Sequence, residues 1–408
     1  MEFSLHILQR STRSSTYISR HKDNIRRRSA LNRQGATGIK WHSISLGGDA
    51  DSQFVIPDPG QKDFYRVQQD EAVEVLLGTD RIWQGLADEV PRRDQGQLEY
   101  NAIGHFPWKC KKNPVAHAAL STTVDAWFIG MVFRNGADWN GSTWIPASPN
   151  GLNSTWVNNS ERYVDTGLPA IQLDFHEWEA SEKLLSDLLQ IVDYEAGMFP
   201  GPDSLDELGC YVYLKPRLQN KIDWILTRNN FRGVDLPTID LSYDYYNYCI
   251  YKWQKSDGTI NILGIPSQAS ADKYTPGSYA IAFLDLTAGN GWMADADALA
   301  CAQVFLSMHD GTSPLAKGTI TVPFCMAQHT SVGRRHTAFI RAGDNICLPF
   351  MDCYEFSTAT AQQTNDNRAV FKVYDAQGSV DESKMVLQIG AENDYLDTLI
   401  KSVSHPLR

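Results

Sequence analysis

The chain has 408 residues, of which 42% are hydrophobic, and this is enough to bury a sizeable core without disulfide or metal support. No run of about 18 apolar residues occurs, which excludes a membrane-spanning helix. The seven cysteines include no CxxC pair, so neither a zinc ribbon nor a thioredoxin-type site is expected.

The first forty residues differ sharply in charge from the rest of the chain. They contain nine basic residues against only Glu2 and Asp23, a balance of +7, whereas the whole chain is −11 and residues 41–408 are therefore −18. We interpret residues 1–40 as a basic N-terminal arm that binds the phosphates of a nucleic acid. The predicted contacts are Arg10, Arg13, Arg20, Lys22, Arg26, Arg27, Arg28 and Arg33.

Two other interpretations of the arm stay open. Its Arg- and Ser-rich, acid-poor composition is also typical of an organelle presequence that is cleaved after import. A solvated tail without a partner would have a similar composition. Leu5, Ile7 and Leu8 form a small apolar tip at its start, which could dock against the body.

The remainder of the chain is predicted to be mostly β-strand, because apolar and polar residues alternate in many short runs. Asp257-Gly258 predicts a type I′ hairpin turn between two of these strands. The predicted strands are 55–56, 98–103, 124–133, 170–175, 210–214, 222–227, 241–253, 259–265, 279–286, 299–308, 318–324, 336–341, 346–350, 369–374 and 385–389.

Three helices are predicted among these strands. The longest covers residues 176–194, where Asp174 can cap the N-terminus and leucines recur at helical spacing. Shorter helices are predicted at 72–86 and 392–403. The fold class is therefore all-β and mainly antiparallel, with a few helices in the connections.

A cluster of acidic residues at the start of the longest predicted helix is the best candidate for catalysis. Asp174, Glu177 and Glu179 could supply the carboxylates of a carbohydrate-active hydrolase on a β-sandwich, which needs two of them facing each other across a sugar. Acidic residues in a first helical turn are, however, favoured by the helix dipole whatever the function. No motif of a serine hydrolase, a zinc peptidase or a nucleotide-binding loop occurs, so we expect no enzyme activity.

Two acidic loops could hold calcium through carboxylate oxygens. One contains Asp203, Asp206 and Glu207, and the other contains Asp295 and Asp297. Neither matches the pattern of a calcium-binding loop, so no cofactor is expected, with structural calcium as the open alternative. An aromatic-rich strand from Tyr243 to Trp253 indicates either core packing or a subunit contact.

A basic arm followed by an all-β body resembles the coat proteins of small icosahedral viruses. The layout is similar to nodavirus- and tombusvirus-like coats and to coats of small single-stranded DNA viruses of algae. This resemblance covers the organisation of the whole chain and no sequence motif. It divides the chain into the arm at 1–40, a body at 41–390 and a C-terminal tail at 391–408.

The resemblance implies a jelly-roll β-sandwich with helical insertions and a projecting β region. It also implies a capsid protein that self-assembles into an icosahedral shell, found in the virion and, during assembly, in the host cytoplasm or nucleus. Its partners would be further copies of the chain and a packaged RNA or single-stranded DNA genome, held by the eight basic residues of the arm. No membrane partner is implied.

Overall fold

A computed structural model of the chain is built mainly of β-strands. The residues that it describes are 3–10, 25–30, 35–45, 47–57, 71–88, 92–94, 96–107, 114–117, 120–126, 128, 138–139, 144–145, 157–168, 170–173, 176–180, 189, 194–200, 210–216, 222–237, 239–242, 246–268, 278–287, 292–309, 315–352 and 368–389.

The strands of the first half are β1 Phe3–Arg10, β2 Ile25–Ala30, β3 Thr37–Ile44, β4 Gly47–Pro57, β5 Ala72–Leu77, β6 Asp80–Ala87, β7 Arg92–Asp94, β8 Gln97–Gly104, β9 Pro114–His117, β10 Leu120–Thr123, β11 Asp138–Trp139, β12 Trp144–Ile145, β13 Val157–Val164, β14 Ala170–Leu173, β15 His176–Ala180, β16 Tyr194–Pro200 and β17 Cys210–Pro216.

The strands of the second half are β18 Trp224–Ile225, β19 Ile239–Ser242, β20 Tyr248–Gln254, β21 Ile260–Pro266, β22 Ile281–Asp285, β23 Leu315–Pro323, β24 Met326–His329, β25 Gly333–His336, β26 Asn345–Asp352, β27 Arg368–Ser379 and β28 Lys384–Ile389. The helical elements with defined bounds are the α-helix α1, Asp295–His309, and two 3-10 turns, Arg228–Phe231 and Thr337–Phe339.

Nineteen of the described strands belong to one large, curled, mixed sheet. Antiparallel pairing runs through β2, β1, β5, β6, β8, β4, β3, β27, β28, β23 and β19 in that order. Parallel pairs add β16 to β4, β13 to β17 and β18 to β26. The prediction of a mainly antiparallel β protein is confirmed. The jelly roll is not shown, because most of the described strands pair into one mixed sheet rather than into two facing antiparallel sheets.

Strands β3 and β27, which are far apart in the sequence, pair in the middle of this sheet. Residues 40–44 of β3 pair with residues 375–379 of β27. The imidazole of His42 joins three strands there, since its Nδ1 lies 2.9 Å from Oδ2 of Asp51 on β4 and its Nε2 lies 2.6 Å from Oδ2 of Asp375 on β27. Both ring nitrogens can donate to carboxylates only when the imidazole is protonated.

The apolar tip of the predicted arm forms strand β1, which pairs with β5 from Phe3 opposite Leu77 to Leu8 opposite Ala72. Leu5 is fully buried in the core. The ring of Phe3 lies 4.9 Å from that of Phe324 and 5.8 Å from that of Trp41. A few apolar side chains therefore order the start of the chain against the sheet, although the segment as a whole is polar.

The helix predicted at 72–86 is wrong, because residues 72–87 form the hairpin β5–β6. All six residues of β5 are buried, and all but Glu74 are apolar, so the strand shows no alternation of exposed and buried positions. Such a run cannot be distinguished from a buried helix by periodicity alone. The strand predicted at 299–308 is also wrong and lies in helix α1. Among the side chains of this helix whose burial is described, Ala298, Cys301, Ala302 and Leu306 are buried, and their spacing is helical.

The longest predicted helix, at 176–194, begins as a strand instead. β15, His176–Ala180, pairs with β9, so that His176 lies opposite His117 and Glu179 opposite Val115. Residues 181–188 and 190–193 lie outside the described part of the chain, as do the helix predicted at 392–403 and the tail at 391–408. The predicted limits of arm, body and tail therefore stay predictions.

The turn predicted at Asp257-Gly258 is confirmed, although its type differs. The backbone amide of Gly258 donates to the carbonyl of Lys255, and the amide of Lys255 donates to the carbonyl of Thr259. Gly258 has a φ of +83° and Asp257 has no positive φ. The hairpin β20–β21 thus has a three-residue loop with a left-handed glycine rather than a two-residue type I′ turn.

The buried apolar residues form two cores. The first contains residues from the N-terminal and C-terminal parts of the chain, from Leu5 to Ala102 and from Trp224 to Ile389. The second lies within residues 106–306 and includes β16, β17, β20 and α1. β16 links the two, since it packs its apolar residues into the second core and pairs with β4 of the main sheet.

The junction between β16, β4 and β8 depends on close contact between backbones. A Cβ atom on Gly104 of β8 would lie 1.7 Å from the carbonyl oxygen of Asp49 on β4, and one on Gly197 of β16 would lie 2.4 Å from the carbonyl carbon of Gly47. Neither backbone can yield as a flexible side chain does. Glycine is therefore required at both positions for steric reasons.

We predict that Gly104→Ala lowers the free energy of unfolding by about 3 kcal/mol or more, because the strands must separate to admit the methyl group. Gly167→Ala is the matched control, since a Cβ atom there would meet nothing within 4 Å and only the φ of +79° opposes the change. This control substitution should lower the free energy of unfolding by about 1 kcal/mol. Urea denaturation measures the free energy of unfolding of both variants. Equal losses would contradict the close backbone contact at Gly104.

We predict that His42 stabilises the sheet at neutral pH and loses that effect in alkali. Burial lowers the pKa of His42, but hydrogen bonds to Asp375 and Asp51 outweigh this and raise it to about 9. Because the pKa in the folded state exceeds the unfolded value of about 6.5, the stabilisation is complete below that pH and disappears as the pH rises through about 9.

The measurement is the difference in free energy of unfolding between the wild type and His42→Asn across this range. The difference should shrink steadily with rising pH. A difference that stays constant or grows toward pH 9 would refute the charged imidazole between the two carboxylates.

Candidate interaction surface

A three-stranded sheet, in the order β21–β20–β22, lies on the second core. Along β20 the side chains alternate, so that Cys249, Tyr251 and Trp253 are buried, whereas Tyr248 and Ile250 are half-buried on the opposite face. This alternation is the period-two pattern of a strand with one face on a core. The aromatic-rich stretch of the sequence thus supplies core packing on one face of the sheet.

The inner face of this sheet packs against helix α1. The ring of Tyr251 stacks on that of Trp253 with 5.1 Å between centroids. The indole Nε1 of Trp253 donates to Oδ1 of Asp295 at the start of the helix, at 3.1 Å. The aromatic strand and the helix N-terminus therefore hold each other in place.

The outer face of the same sheet, together with its edges, is apolar and exposed. Of the eight large hydrophobic side chains that are exposed in the described part of the chain, six lie on or beside its two outer strands, and Phe283 is 80% exposed. We call this set the apolar surface; its members are Ile260, Ile262, Leu263, Tyr279, Ile281 and Phe283. Single exposed apolar residues are normal, whereas clusters of this kind are typical of surfaces that contact other molecules.

Two lysines of β20 and its turn, close to the apolar surface, form ion pairs. Nζ of Lys252 lies 3.1 Å from Oδ2 of Asp285, and Nζ of Lys255 lies 2.8 Å from Oδ2 of Asp295. A hydrogen bond from the hydroxyl of Thr287 is the main cause that lowers the pKa of Asp285, and the one from Lys255 does the same for Asp295. Both carboxylates are therefore ionised and compensated at neutral pH.

A buried ion network lies at the junction of the two cores. The carboxylate of Glu195 on β16 is 2% exposed and bridges two lysines, with Nζ of Lys372 on β27 at 2.7 Å and Nζ of Lys215 on β17 at 3.2 Å. Lys215 also donates to the carbonyl of Gly343, at 3.4 Å. One carboxylate thus connects strands that line different cores.

The guanidinium of Arg341 adds a second connection at this junction. It lies 4.8 Å from the ring of Phe199 on β16 and donates to the carbonyls of Arg81 and Ile82 on β6. Burial raises the pKa of the nearby Asp49 to about 7, although the charge of Arg341 counteracts that rise.

Another buried pair stands on the hairpin β5–β6. Nε of Arg81 donates to Oε2 of Glu74 at 3.0 Å, and neither side chain is exposed. Burial and the charge of Arg81 together lower the pKa of His105 to about 3, so that this imidazole is neutral. The buried pair of Arg81 and Glu74 thus connects neighbouring strands β5 and β6.

The acidic residues predicted for catalysis are only partly described by the structure. Glu177 and Glu179 lie two residues apart on strand β15, and their predicted role in catalysis stays a prediction. Asp174 lies outside the described residues, and so do Asp203, Asp206 and Glu207.

The second loop predicted to hold calcium lies in the first turn of α1. There the carboxylate of Asp295 accepts hydrogen bonds from Trp253 and Lys255. Within the described residues, no group of three or more His, Cys, Asp or Glu side chains is arranged to hold a metal ion. None of the described helices is long and apolar enough to cross a membrane.

The predicted nucleic-acid contacts are only partly placed. Arg10 ends β1, and Arg26, Arg27 and Arg28 lie on β2, which pairs with β1 in a hairpin attached to the main sheet. The remaining four lie outside the described residues and are Arg13, Arg20, Lys22 and Arg33. The role of these eight side chains stays a prediction.

No protein-family model and no curated protein matches this sequence. Solved structures do match. The 43 kDa tail protein of prophage MuSo2 from Shewanella oneidensis superposes with a TM-score of 0.50 at 13% identity, over 96% of this chain and 99% of that one. A tail protein from Neisseria meningitidis MC58 gives a TM-score of 0.50 at 12% identity, over 96% and 98% of the two chains. The chain shares their fold.

This finding overturns the coat-protein interpretation. The similar structures are tail proteins, and the agreement extends over nearly the whole length of both chains, so that it includes most of the segment interpreted as an arm. The icosahedral capsid, the shell of identical copies and the packaged genome as a partner were inferred from layout alone and are wrong. The order of a basic segment and a β-rich body did not identify the function, because this organisation is not unique to coat proteins.

We predict that Glu195→Gln destabilises the junction by about 3 kcal/mol, because two lysines lose the buried charge that compensates them. Glu382→Gln is the matched control: it removes the same charge from an exposed pair with Lys384 and should leave the denaturation midpoint nearly unchanged. Urea denaturation measures both effects. The dependence of the free energy of unfolding on urea concentration should be the same in all variants, so that the midpoints can be compared. Equal, small effects of both substitutions would contradict a connecting role for Glu195.

Proposed function

We propose that this chain is a structural component of a phage-type tail or its baseplate. The observation that carries the proposal is the agreement in fold with two tail proteins over 96% of the chain. Sequence identities of 12–13% support a shared fold but not shared roles of individual residues. The proposal therefore names the class of assembly and not the place of the chain within it.

The distribution of polar groups in the described residues supports a structural role. The buried carboxylates and cations are used in pairs that connect strands, such as Glu195 with Lys372 and Arg81 with Glu74. Catalytic groups, in contrast, are expected to converge in a concave pocket. The apolar surface also fits a protein that functions by contact with other proteins. We propose that the chain has no enzyme activity and is located in the tail of the virion.

Disruption of the gene in the phage that encodes the chain tests the proposal against a coat role. Loss of a tail component should leave heads that are filled with DNA but lack functional tails, whereas loss of a coat protein would abolish the heads. Electron microscopy of the lysate distinguishes these outcomes. Complementation by the wild-type gene should restore complete particles and is the control.

Gold-labelled antibodies against the chain give a second, independent readout. We expect label at the tail of intact particles. Label on the head surface, or intact tailed particles after disruption, would refute the proposal.

A further inference from the structure

Strand β6 pairs with β8 along only part of its length. The described pairing covers residues 85–87 of β6 and stops where β8 ends, at Gly104. The residues of β6 before that point, from Arg81 to Gln84, are buried. Buried backbone amides and carbonyls need hydrogen-bond partners, so other groups must take the place of the strand there.

Two side chains of opposite charge supply these hydrogen bonds. Oδ2 of Asp49 accepts a hydrogen bond from the backbone amide of Gln84, at 2.9 Å. The guanidinium of Arg341 donates to the carbonyls of Arg81 and Ile82, at 3.3 and 3.2 Å. Because a carboxyl oxygen accepts and a guanidinium donates, the two side chains match the backbone groups of an open strand edge. We call Asp49 and Arg341 the edge pair.

The edge pair lies at the junction of the two cores. The carbonyl oxygen of Asp49 is the atom that a Cβ on Gly104 would meet at 1.7 Å, and Asp49 directly follows Gly48, which pairs with β16. The guanidinium of Arg341 lies 4.8 Å from the ring of Phe199 on β16. The edge pair therefore contacts or adjoins β4, β6, β8 and β16 together.

The carboxyl group of Asp49 is buried, and the residue is only 4% exposed. Burial is the main cause that raises the pKa of Asp49 from 3.8 to about 7, against the charge of Arg341 and the hydrogen bond from Gln84. A protonated carboxyl can still accept that hydrogen bond, but it carries no buried charge. The folded chain therefore holds this proton more tightly than the unfolded chain does.

The ionisable groups next to Asp49 on β6 and β8 add no uncompensated charge. Arg81 on β6 is paired with Glu74 on β5. The imidazole of His105, directly after β8, is neutral because burial and the charge of Arg81 lower its pKa to about 3. The hairpin β5–β6 and the end of β8 thus leave the charge of Asp49 to other elements.

The groups on the remaining elements around Asp49 are also compensated, apart from Arg341. Glu195 on β16 is held between two lysines, and His42 on β3 lies between two carboxylates. Asp344, in the same turn as Arg341, accepts hydrogen bonds from the indole of Trp224 and from the backbone amide of Arg341. Among these groups, Arg341 is the one whose charge acts on Asp49.

We propose that the edge pair makes the junction between the two cores sensitive to protons. The junction is most stable when the carboxyl of Asp49 carries a proton, and it weakens when that proton is released to water. A carboxyl whose pKa is raised by folding stabilises the folded chain below the unfolded value of 3.8, and this effect is lost as the pH rises through about 7. The inference concerns the fold and does not depend on the tail function.

Asp49→Asn tests this proposal, because asparagine keeps an oxygen acceptor for the amide of Gln84 but cannot ionise. The measurement is the unfolding equilibrium constant of the full chain in urea between pH 5 and pH 8. The ratio of this constant in the wild type to that in Asp49→Asn should rise about tenfold or more over this range, since the wild type alone must release the proton.

Asp80→Asn is the matched control, because Asp80 is an exposed aspartate at the start of the same strand β6. Its ratio to the wild type should stay constant over the range. An ion pair that requires a charged Asp49 gives the opposite result, namely a variant that becomes less stable than the wild type as the pH rises. A constant or falling ratio for Asp49→Asn would overturn the proposal, as would an equal rise for Asp80→Asn.

A second measurement does not require the variant to fold. In the wild type, the ¹³C chemical shift of the Asp49 carboxyl carbon, assigned through its own backbone amide, should titrate near pH 7. Titration complete below about pH 5, as in an unperturbed aspartate, would overturn the proposal whatever the variant does. Either failure would leave the proposed place of the chain in a phage-type tail intact.

Discussion

The rest of the fold depends on the close contact between β16 and β4. Gly197 and Met198 lie beside Gly47 and Gly48 in a parallel pair, and the space between these backbones admits no side chain at the glycine positions. Through this contact, the second core is continuous with the main sheet instead of being attached by a flexible linker. The ion network of Glu195 lies directly beside it, on the same strand.

The two parts of the junction differ in what they contribute. The backbone contact fixes the distance between strands, because peptide groups cannot move aside as side chains do. The ion network adds a preference for one arrangement, since a lysine buried away from Glu195 would lose its compensating charge. Burial of charge costs free energy by itself, so the value of the network lies in the penalty for its disruption. The apolar surface on β21 and β22 is held by the second core and so is positioned by the same junction.

The sequence predicted the local features of this fold better than the long-range ones. Many strands and the hairpin at Gly258 follow from alternation and turn residues, which are local signals. Helix α1 was predicted as a strand, although the spacing of Ala298, Cys301 and Ala302 and the acidic first turn carried a helical signal. The pairing of β3 with β27, over more than 330 residues, has no local signal, so the mixed sheet could not be predicted.

The apolar surface was only partly predictable. The aromatic strand around Tyr251 was interpreted as core or subunit contact, and the structure shows core packing for its buried face. Phe283 and Ile262 alternate like the half-buried residues of any strand, so their exposure becomes evident only when the packing of α1 leaves the other face of the sheet open. The basic segment drew attention by charge, whereas a few apolar residues such as Leu5 decide where its first strand lies.

Native-state hydrogen exchange measures directly whether the junction unites the two cores. Amides of β4, β16 and β27 should exchange in one cooperative step, with the same free energy of opening and the same dependence on denaturant. Exchange of β16 and β17 at much lower denaturant than β4 and β27 would show that the second core opens independently, and it would contradict the account.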